Sequence, residues 1–160
     1  MSLAIGVDLG GTKIAAGVVD ETGQIIAEVR RPTPTDSSEA IIAAISDLVA
    51  ELRVAHDVSA VGIGAPSFIN ATQDTILFTA NLPMENLPLA AELTALTGLP
   101  VIVENDANAA AWGEYRFGSG KGAADMILLT IGTGIGGGIV MNDRLLHGSY
   151  GLAAEVGHIE

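Results

Sequence analysis

The 160-residue sequence contains no cysteine, which excludes disulfide frameworks, thiolate catalysis and cysteine-ligated zinc within these residues and suits a reducing cytoplasm. It is also poor in positive charge. Seven lysines and arginines stand against nineteen carboxylates, giving a formal charge of -12 that repels phosphate backbones and anionic lipid. Nucleic acid and membrane surfaces are therefore excluded as partners. Charged residues reach only 16% against 49% apolar, which rules out disorder and points to deep burial or a surface covered by a partner, as in a homo-oligomer. No basic segment precedes the first apolar run, which meets Asp8 too early for a signal peptide. The longest uncharged stretch, Met126 to Asn142, is too rich in glycine for a membrane helix. Together these absences make the cytoplasm the default expectation and lead to reading Asn70-Ala71-Thr72 as a chance sequon. The length suits one domain or one lobe of a larger enzyme.

What is present alternates between strand and helix patterns. Ile5 to Asp8, Ile14 to Val19 and Gln24 to Val29 are β-prone runs around Gly10-Gly11-Thr12 and Asp20-Glu21-Thr22-Gly23, which predicts an antiparallel meander. Asp36 with Glu39 marks a helix start, and Ile41, Ile45, Leu48, Val49 and Leu52 recur on one face, predicting a scaffold helix over 37–55. Val58 to Ile63, ending in Gly64-Ala65-Pro66, reads as a buried parallel strand, and α/β folds place ligands just past such strand ends. After a polar excursion through Asn81-Leu82-Pro83, a helix over 87–97 stops at Gly98 and Leu99 to Val103 forms another buried strand. Glu104-Asn105-Asp106 then opens an alanine-rich helix to about Phe117. Gly118 to Gly122 reads as a hinge, Met126 to Ile131 as a strand, Gly132 to Gly138 as a turn and Ile139 to Met141 as its return strand.

Laying Gly11-Thr12 over Gly132-Thr133 also lays Gly17-Val18-Val19 over Gly138-Ile139-Val140, so a strand, Gly-Thr turn and strand occur twice. Such turns offer backbone N–H groups and a hydroxyl to phosphate oxygens, and two of them face to face would grip a polyphosphate; each alone reads more readily as a plain tight turn, and it is their pairing that favours phosphate. Asp8, beside the first turn, suits Mg²⁺ directly or through water, or caps the turn itself. Asp106 suits accepting the proton of a substrate hydroxyl that Asn105 fixes, the alternative being an N-cap aspartate. Glu155 and His158, spaced to share one helical face, suit neighbouring sugar hydroxyls. His56 and His147 lack such neighbours and read as surface residues. Gly132-x-Gly134-x-x-Gly137 satisfies the dinucleotide fingerprint but leads into a β-prone run instead of a helix. Gly118-Ser119-Gly120-Lys121 fails as a phosphate loop because Tyr115 and Gly122 occupy two required positions.

With Asp8-Leu-Gly-Gly-Thr-Lys13, Glu104-Asn-Asp-Ala-Asn-Ala109, Leu129-Thr-Ile-Gly-Thr-Gly-Ile-Gly-Gly-Gly138 and Gly151-x-x-x-Glu155-x-Gly-His158 in this order, essentially the whole chain resembles the ROK family (repressors, open reading frames, kinases). The likeness is greatest to its bacterial glucokinases. It implies an α/β, actin-like, ribonuclease-H-like fold, with 1–117 as the amino-terminal sugar-binding lobe, 118–122 as a hinge and 123–160 as the opening strands of an incomplete nucleotide-side lobe. It further implies ATP and Mg²⁺ as cofactors and transfer of the γ-phosphoryl group to the 6-hydroxyl of a hexose, glucose foremost. Gly10, Gly11, Thr12 and Lys13 would form the first phosphate loop, Thr133 and Gly134 the second, and Asp106 would be the base. Asn81, Asn105, Glu155 and His158 would hold sugar hydroxyls, with Gly64 and Ala65 lining the pocket through their backbone. Ser67 and Ala154 stand where the family commonly has glycine, which bears on sugar preference. A cysteine-rich zinc motif, a later sugar-binding glutamate and the adenine-binding lobe would follow Glu160, and His158 alone builds no structural Zn²⁺ site. Repressor members carry a DNA-binding extension ahead of the Asp8 motif, which begins here at residue 8. The alternatives are a non-catalytic sugar-binding or sensing module, a kinase for N-acetylmannosamine, N-acetylglucosamine, fructose or mannose, and polyphosphate as the donor. The isolated 160 residues are expected to be inactive.

Overall fold

The computed structural model describes residues 2–132, 134–149, 151, 153, 154 and 157. The expected meander forms as β1 (Leu3–Leu9), β2 (Lys13–Val19) and β3 (Ile25–Pro32). Alternation sets its orientation: Ile5, Val7 and Leu9 of β1 and Ile14, Ala16 and Val18 of β2 are buried on one face, whereas Gly6, Asp8 and Lys13 are exposed. Asp20 closes the turn into β3, its Oδ1 accepting the Thr22 N–H and hydroxyl and the Gln24 N–H at 2.8, 2.7 and 3.0 Å.

The first helix, α1 (Ser38–Arg53), begins one residue later than Asp36 implies. Ser37 has extended backbone, and this places its hydroxyl to accept the Ala40 N–H at 3.2 Å, so it is the N-cap. Ile41, Ile45, Leu48, Val49 and Leu52 are buried against the sheet, each contributing about 1.5–3 kcal/mol. Next, β4 (Val58–Ala65) lies parallel to β1 and β8 (Val101–Asn105) parallel to β4, giving the order β3-β2-β1-β4-β8. The expectation of a buried strand holds for only one face of β8, because β8 is the sheet edge: Val103 is fully buried but Ile102 is 57% exposed.

The polar excursion between β4 and β8 conceals a second sheet. β5 (Ser67–Ile69), β6 (Ile76–Thr79) and β7 (Glu85–Leu87) pair antiparallel, and strands of three or four residues carry too little periodicity to be read from sequence. α2 (Leu89–Thr97) follows, packs on α1 and β8, and ends as expected at Gly98 in the left-handed region.

Past β8, α3 (Asp106–Phe117) packs on a hairpin of β9 (Asp125–Ile131) and β10 (Ile135–Met141), and β11 (Arg144–Leu145) completes a three-stranded sheet. The glycine run 136–138 is strand, not turn, which corrects the expectation. A Cβ on Gly136 would sit 2.9 Å from that of Ala107, and one on Gly138 would collide with that of Ala111, so these glycines let the alanine-rich face of α3 lie directly on β10. Asn142 and Asp143, both at positive φ, make the two-residue turn into β11, which excludes the dinucleotide reading because no helix follows the glycines. Residues 118–122 form a bonded turn in which the Gly118 and Gly120 N–H groups both donate to the Glu114 carbonyl at 3.0 Å.

The repeat is real in the backbone. Both hairpins use two seven-residue strands. They differ in the turn: Leu9 pairs with Ile14 across four residues, whereas Ile131 pairs with Ile135 across three. On the face of the larger sheet away from α1, Glu28, Gly17, Gly6, Gly62 and Ile102 stand in one row across five strands. Over Gly6 and Gly62 that face is open, with nothing within 4 Å of an added Cβ. Among the described residues no helix is long and apolar enough to cross a membrane.

Candidate functional site

The next row toward the carboxyl ends of the parallel strands carries the chemistry. Arg30, Ala15, Asp8, Gly64 and Glu104 pair in register across β3, β2, β1, β4 and β8, and Asp106 follows at the start of α3. Gly64 lies close under α3: a Cβ there would sit in ordinary contact, 3.5 Å from the Ala109 Cβ and 3.7 Å from the Asp106 Cα. A cavity of about 1040 Å³, floored by the glycine row, brings together Asp8, Lys13, Gly64, Glu104, Asp106 and His147.

Asp8 and Lys13 are exposed, and their side chains make no hydrogen bond or ion pair among the described residues. Asp106 is also exposed; its Oδ1 accepts the Ala107 N–H at 2.8 Å, while Oδ2 has no partner among the described residues. Asp106 is not the N-cap. That role falls to Asn105, whose Oδ1 accepts the N–H groups of Ala107 and Asn108 at 3.0 and 3.1 Å and whose Nδ2 donates to the Ser67 carbonyl at 3.3 Å. The Asn105 amide oxygen is thus already engaged by the helix.

The first turn is tighter than expected. The Gly10 N–H donates to the Lys13 carbonyl at 2.9 Å and an added Cβ would meet that same oxygen at 2.9 Å, so Gly10 closes the turn and its N–H is not available to a ligand. In the second turn the Gly132 N–H is likewise taken by the Gly134 carbonyl at 2.9 Å. Buried Thr33 braces the first from behind, its hydroxyl donating to the Gly10 carbonyl at 2.6 Å and its N–H to that of Thr12 at 3.0 Å. Gly11 and Thr12 are exposed at the turn and lie outside the cavity lining, as does Gly134. Ala65 is buried in the core and Asn81 is exposed on the turn after β6, so the cavity gathers neither of them, nor Asn105. Thr133, Glu155 and His158 lie outside the described residues.

Among the described residues no three histidine, aspartate or glutamate side chains form a metal cluster. Mg²⁺ in phosphoryl-transfer sites asks for less, one or two carboxylates completed by water and phosphate oxygens, and unbonded Asp8 fits that demand. At the far wall, the Tyr115 hydroxyl of α3 donates to Asp143 Oδ1 at 2.5 Å, which pushes the phenol above its ordinary pKa.

Three residues of the site escaped the sequence reading. The Glu104 carboxylate, 12% exposed, is hydrogen-bonded to Gln73, Asn108 and His147 and to the backbone of Asn105. His147 is therefore not a plain surface residue: it is 28% exposed, with Nε2 at 2.6 Å from Glu104 Oε2. Asn108 is four residues from Glu104, but Gln73 and His147 are 31 and 43 away, beyond any short-range signal.

The model of the ROK family matches residues 4–160. The chain is 54% identical over 159 residues to the glucokinase of Streptomyces coelicolor, covering 99% of this chain and 50% of that one. Identity to the N-acetylmannosamine kinase of Yersinia pseudotuberculosis is 37% over 159 residues, covering 99% and 54%. A crystal structure of a ROK family glucokinase from Streptomyces griseus in complex with glucose and AMPPNP superposes with a TM-score of 0.93 at 52% identity, covering 99% of this chain and 51% of that one. The chain spans about half the length of these relatives.

Proposed function

The chain belongs to the ROK family and has the actin-like fold of its sugar kinases, and from that premise we propose that it forms the sugar-binding half of an ATP-dependent hexose kinase acting on glucose. The observation that carries this reading is the meeting of Asp8, Lys13, Gly64 and Asp106 in one cavity, with Asp8 on β1 and Asp106 just past the end of β8 standing on either side of Gly64 of β4. Higher identity to the glucokinase than to the N-acetylmannosamine kinase supports glucose.

In this reading the sugar 6-hydroxyl oxygen bonds to the γ-phosphorus as the bond to the β-phosphate oxygen breaks, ADP leaves, and the hydroxyl proton passes to Asp106 through its unbonded Oδ2. Such transfers are driven mainly by positioning and electrostatics. Lys13 offers its ammonium to phosphate oxygens, while Asp8 would hold Mg²⁺, which neutralises phosphate charge when bound. Asn81, Asn105, Glu155 and His158 as sugar ligands, Gly10 to Lys13 with Thr133 and Gly134 as phosphate loops, and a hinge at 118–122 between two lobes belong to the same proposal.

The test is glucose-dependent ADP formation by the intact polypeptide that carries these residues. Asp106→Ala is expected to lower kcat about 10²- to 10⁴-fold with little change in the KM for ATP. Near-normal turnover in that variant would remove Asp106 as the base, and a panel including N-acetylmannosamine and polyphosphate decides sugar and donor.

A further inference from the structure

We propose that Glu104 and His147 form a positioning pair that fixes the base-bearing corner at Asn105-Asp106 against the backbone between His147 and Ala153, so that the pair sets sugar affinity and turnover together. The inference rests on the function proposed above.

The argument begins with the number of donors. Glu104 Oε1 accepts the Asn105 N–H at 2.9 Å and Asn108 Nδ2 at 3.1 Å; Oε2 accepts Gln73 Nε2 at 2.5 Å and meets His147 Nε2 at 2.6 Å. An ionised carboxylate has about four acceptor sites and no donor, so four donors around a nearly buried group suit glutamate and nothing else of its length. Glutamine would turn an NH₂ group toward donors it cannot accept from. The same matching requires a hydrogen on His147 Nε2.

The four partners come from three separate parts of the chain. Asn105 and Asn108 are the cap and first turn of α3. Gln73, on the loop between β5 and β6, has a left-handed backbone at φ 58, and its carbonyl accepts the N–H of Val103 on the sheet edge at 2.8 Å. A non-glycine residue in that region is strained, and the surrounding bonds must offset the strain. His147 follows β11, and its carbonyl accepts the Ala153 N–H at 3.0 Å, two residues before Glu155. Close by, Gly151 lies against the Ile69 carbonyl, where a Cβ could not fit. One imidazole thus ties the strand end that aims Asp106 to the stretch that leads to the expected sugar ligands.

The experiment measures steady-state kinetics of the intact polypeptide with glucose and ATP for His147→Ala, His147→Gln and Glu104→Gln, and records the His147 tautomer by ¹⁵N NMR. His147→Ala is expected to raise the glucose KM and lower kcat, each about tenfold, with the ATP KM within about twofold, as loss of one charge-assisted hydrogen bond at a positioning site implies. His147→Gln, whose amide nitrogen can donate to the same oxygen, should recover most of both losses. Glu104→Gln should be worse than His147→Ala; if it does not fold, the two His147 variants decide. Glucose KM and kcat within about twofold of wild type in His147→Ala, or losses that His147→Gln does not repair, would overturn the pair. If the wild type phosphorylates no hexose, the proposed function fails and NMR judges the pair: hydrogen on Nε2 that is lost or shifted in Glu104→Gln upholds the bond, and a hydrogen on Nδ1 alone overturns it.

Discussion

The two hairpins, β1–β2 and β9–β10, share a strand, turn and strand pattern yet use their glycines in opposite ways. In the first, Ile5, Leu9, Ile14 and Val18 are buried on the helix side of the sheet while Gly6 and Gly17 lie on the side of the cavity. In the second, Gly136 and Gly138 lie beneath α3, and the other face exposes Ile127, Leu129 and Ile131, the last at 84%. Glycine keeps a floor clear in one copy and admits a helix in the other. The same local unit therefore acquires its role from what packs on it.

The largest expected effect sets buried against exposed faces. In the 160-residue chain, Ile5→Ala should lose about 2–5 kcal/mol by urea unfolding, whereas Leu129→Ala should change stability by no more than about 0.5 kcal/mol. Equal losses at the two positions would end the contrast. Next comes the glycine test. Gly138→Ala should cost about 1–3 kcal/mol, because the new methyl meets Ala111, while Gly62→Ala on the open floor should fall within about 0.5 kcal/mol of wild type. A third measurement separates the turns, since among the described residues only the first has a side chain bracing it from behind. Thr33→Val, which removes the hydroxyl on the Gly10 carbonyl, should cost about 0.5–1.5 kcal/mol.

The smallest effects concern pH and differ in sign between the turns that follow the hairpins. Hydrogen bonds from the Thr22 side chain and the Gln24 backbone hold the Asp20 carboxyl below its usual range. A depressed carboxyl contributes stability that is fully present above its unfolded pKa and is lost as pH falls through the folded one, so this part disappears below about pH 4. Beyond the second hairpin, the bond to Asp143 raises the Tyr115 phenol. That contribution is fully present below the ordinary tyrosine value near 10 and is lost as pH rises through the raised one. Asp20→Ala should flatten only the acid limb of a stability–pH curve, and Tyr115→Phe only the alkaline limb.

Much of this fold was legible in the sequence because its signals are local. Period-two burial in β1 and β2, the stripe from Ile41 to Leu52 and the left-handed stop at Gly98 each follow from residues within a few positions. The helix start was misread by one residue because Asp36 and Ser37 are both good caps and only backbone angles choose between them. β5 to β7 were missed because three-residue strands have no period. In the candidate site, Asp8, Lys13, Gly64 and Asp106 stand out in the sequence because their motifs follow strand ends, and one cavity gathers all four. Glu104 was passed over as part of a run, and His147 was misread, since their bond joins segments 43 residues apart.

Gln73 shows what such a long-range bond asks of a single residue. Its main chain adopts a twist that glycine or asparagine accepts readily, while its side chain must extend to a carboxylate on another strand. Glycine would relax the loop and leave Glu104 one donor short; asparagine would tolerate the twist with an arm one methylene shorter. Comfort and reach conflict at this position, and the chain has kept reach.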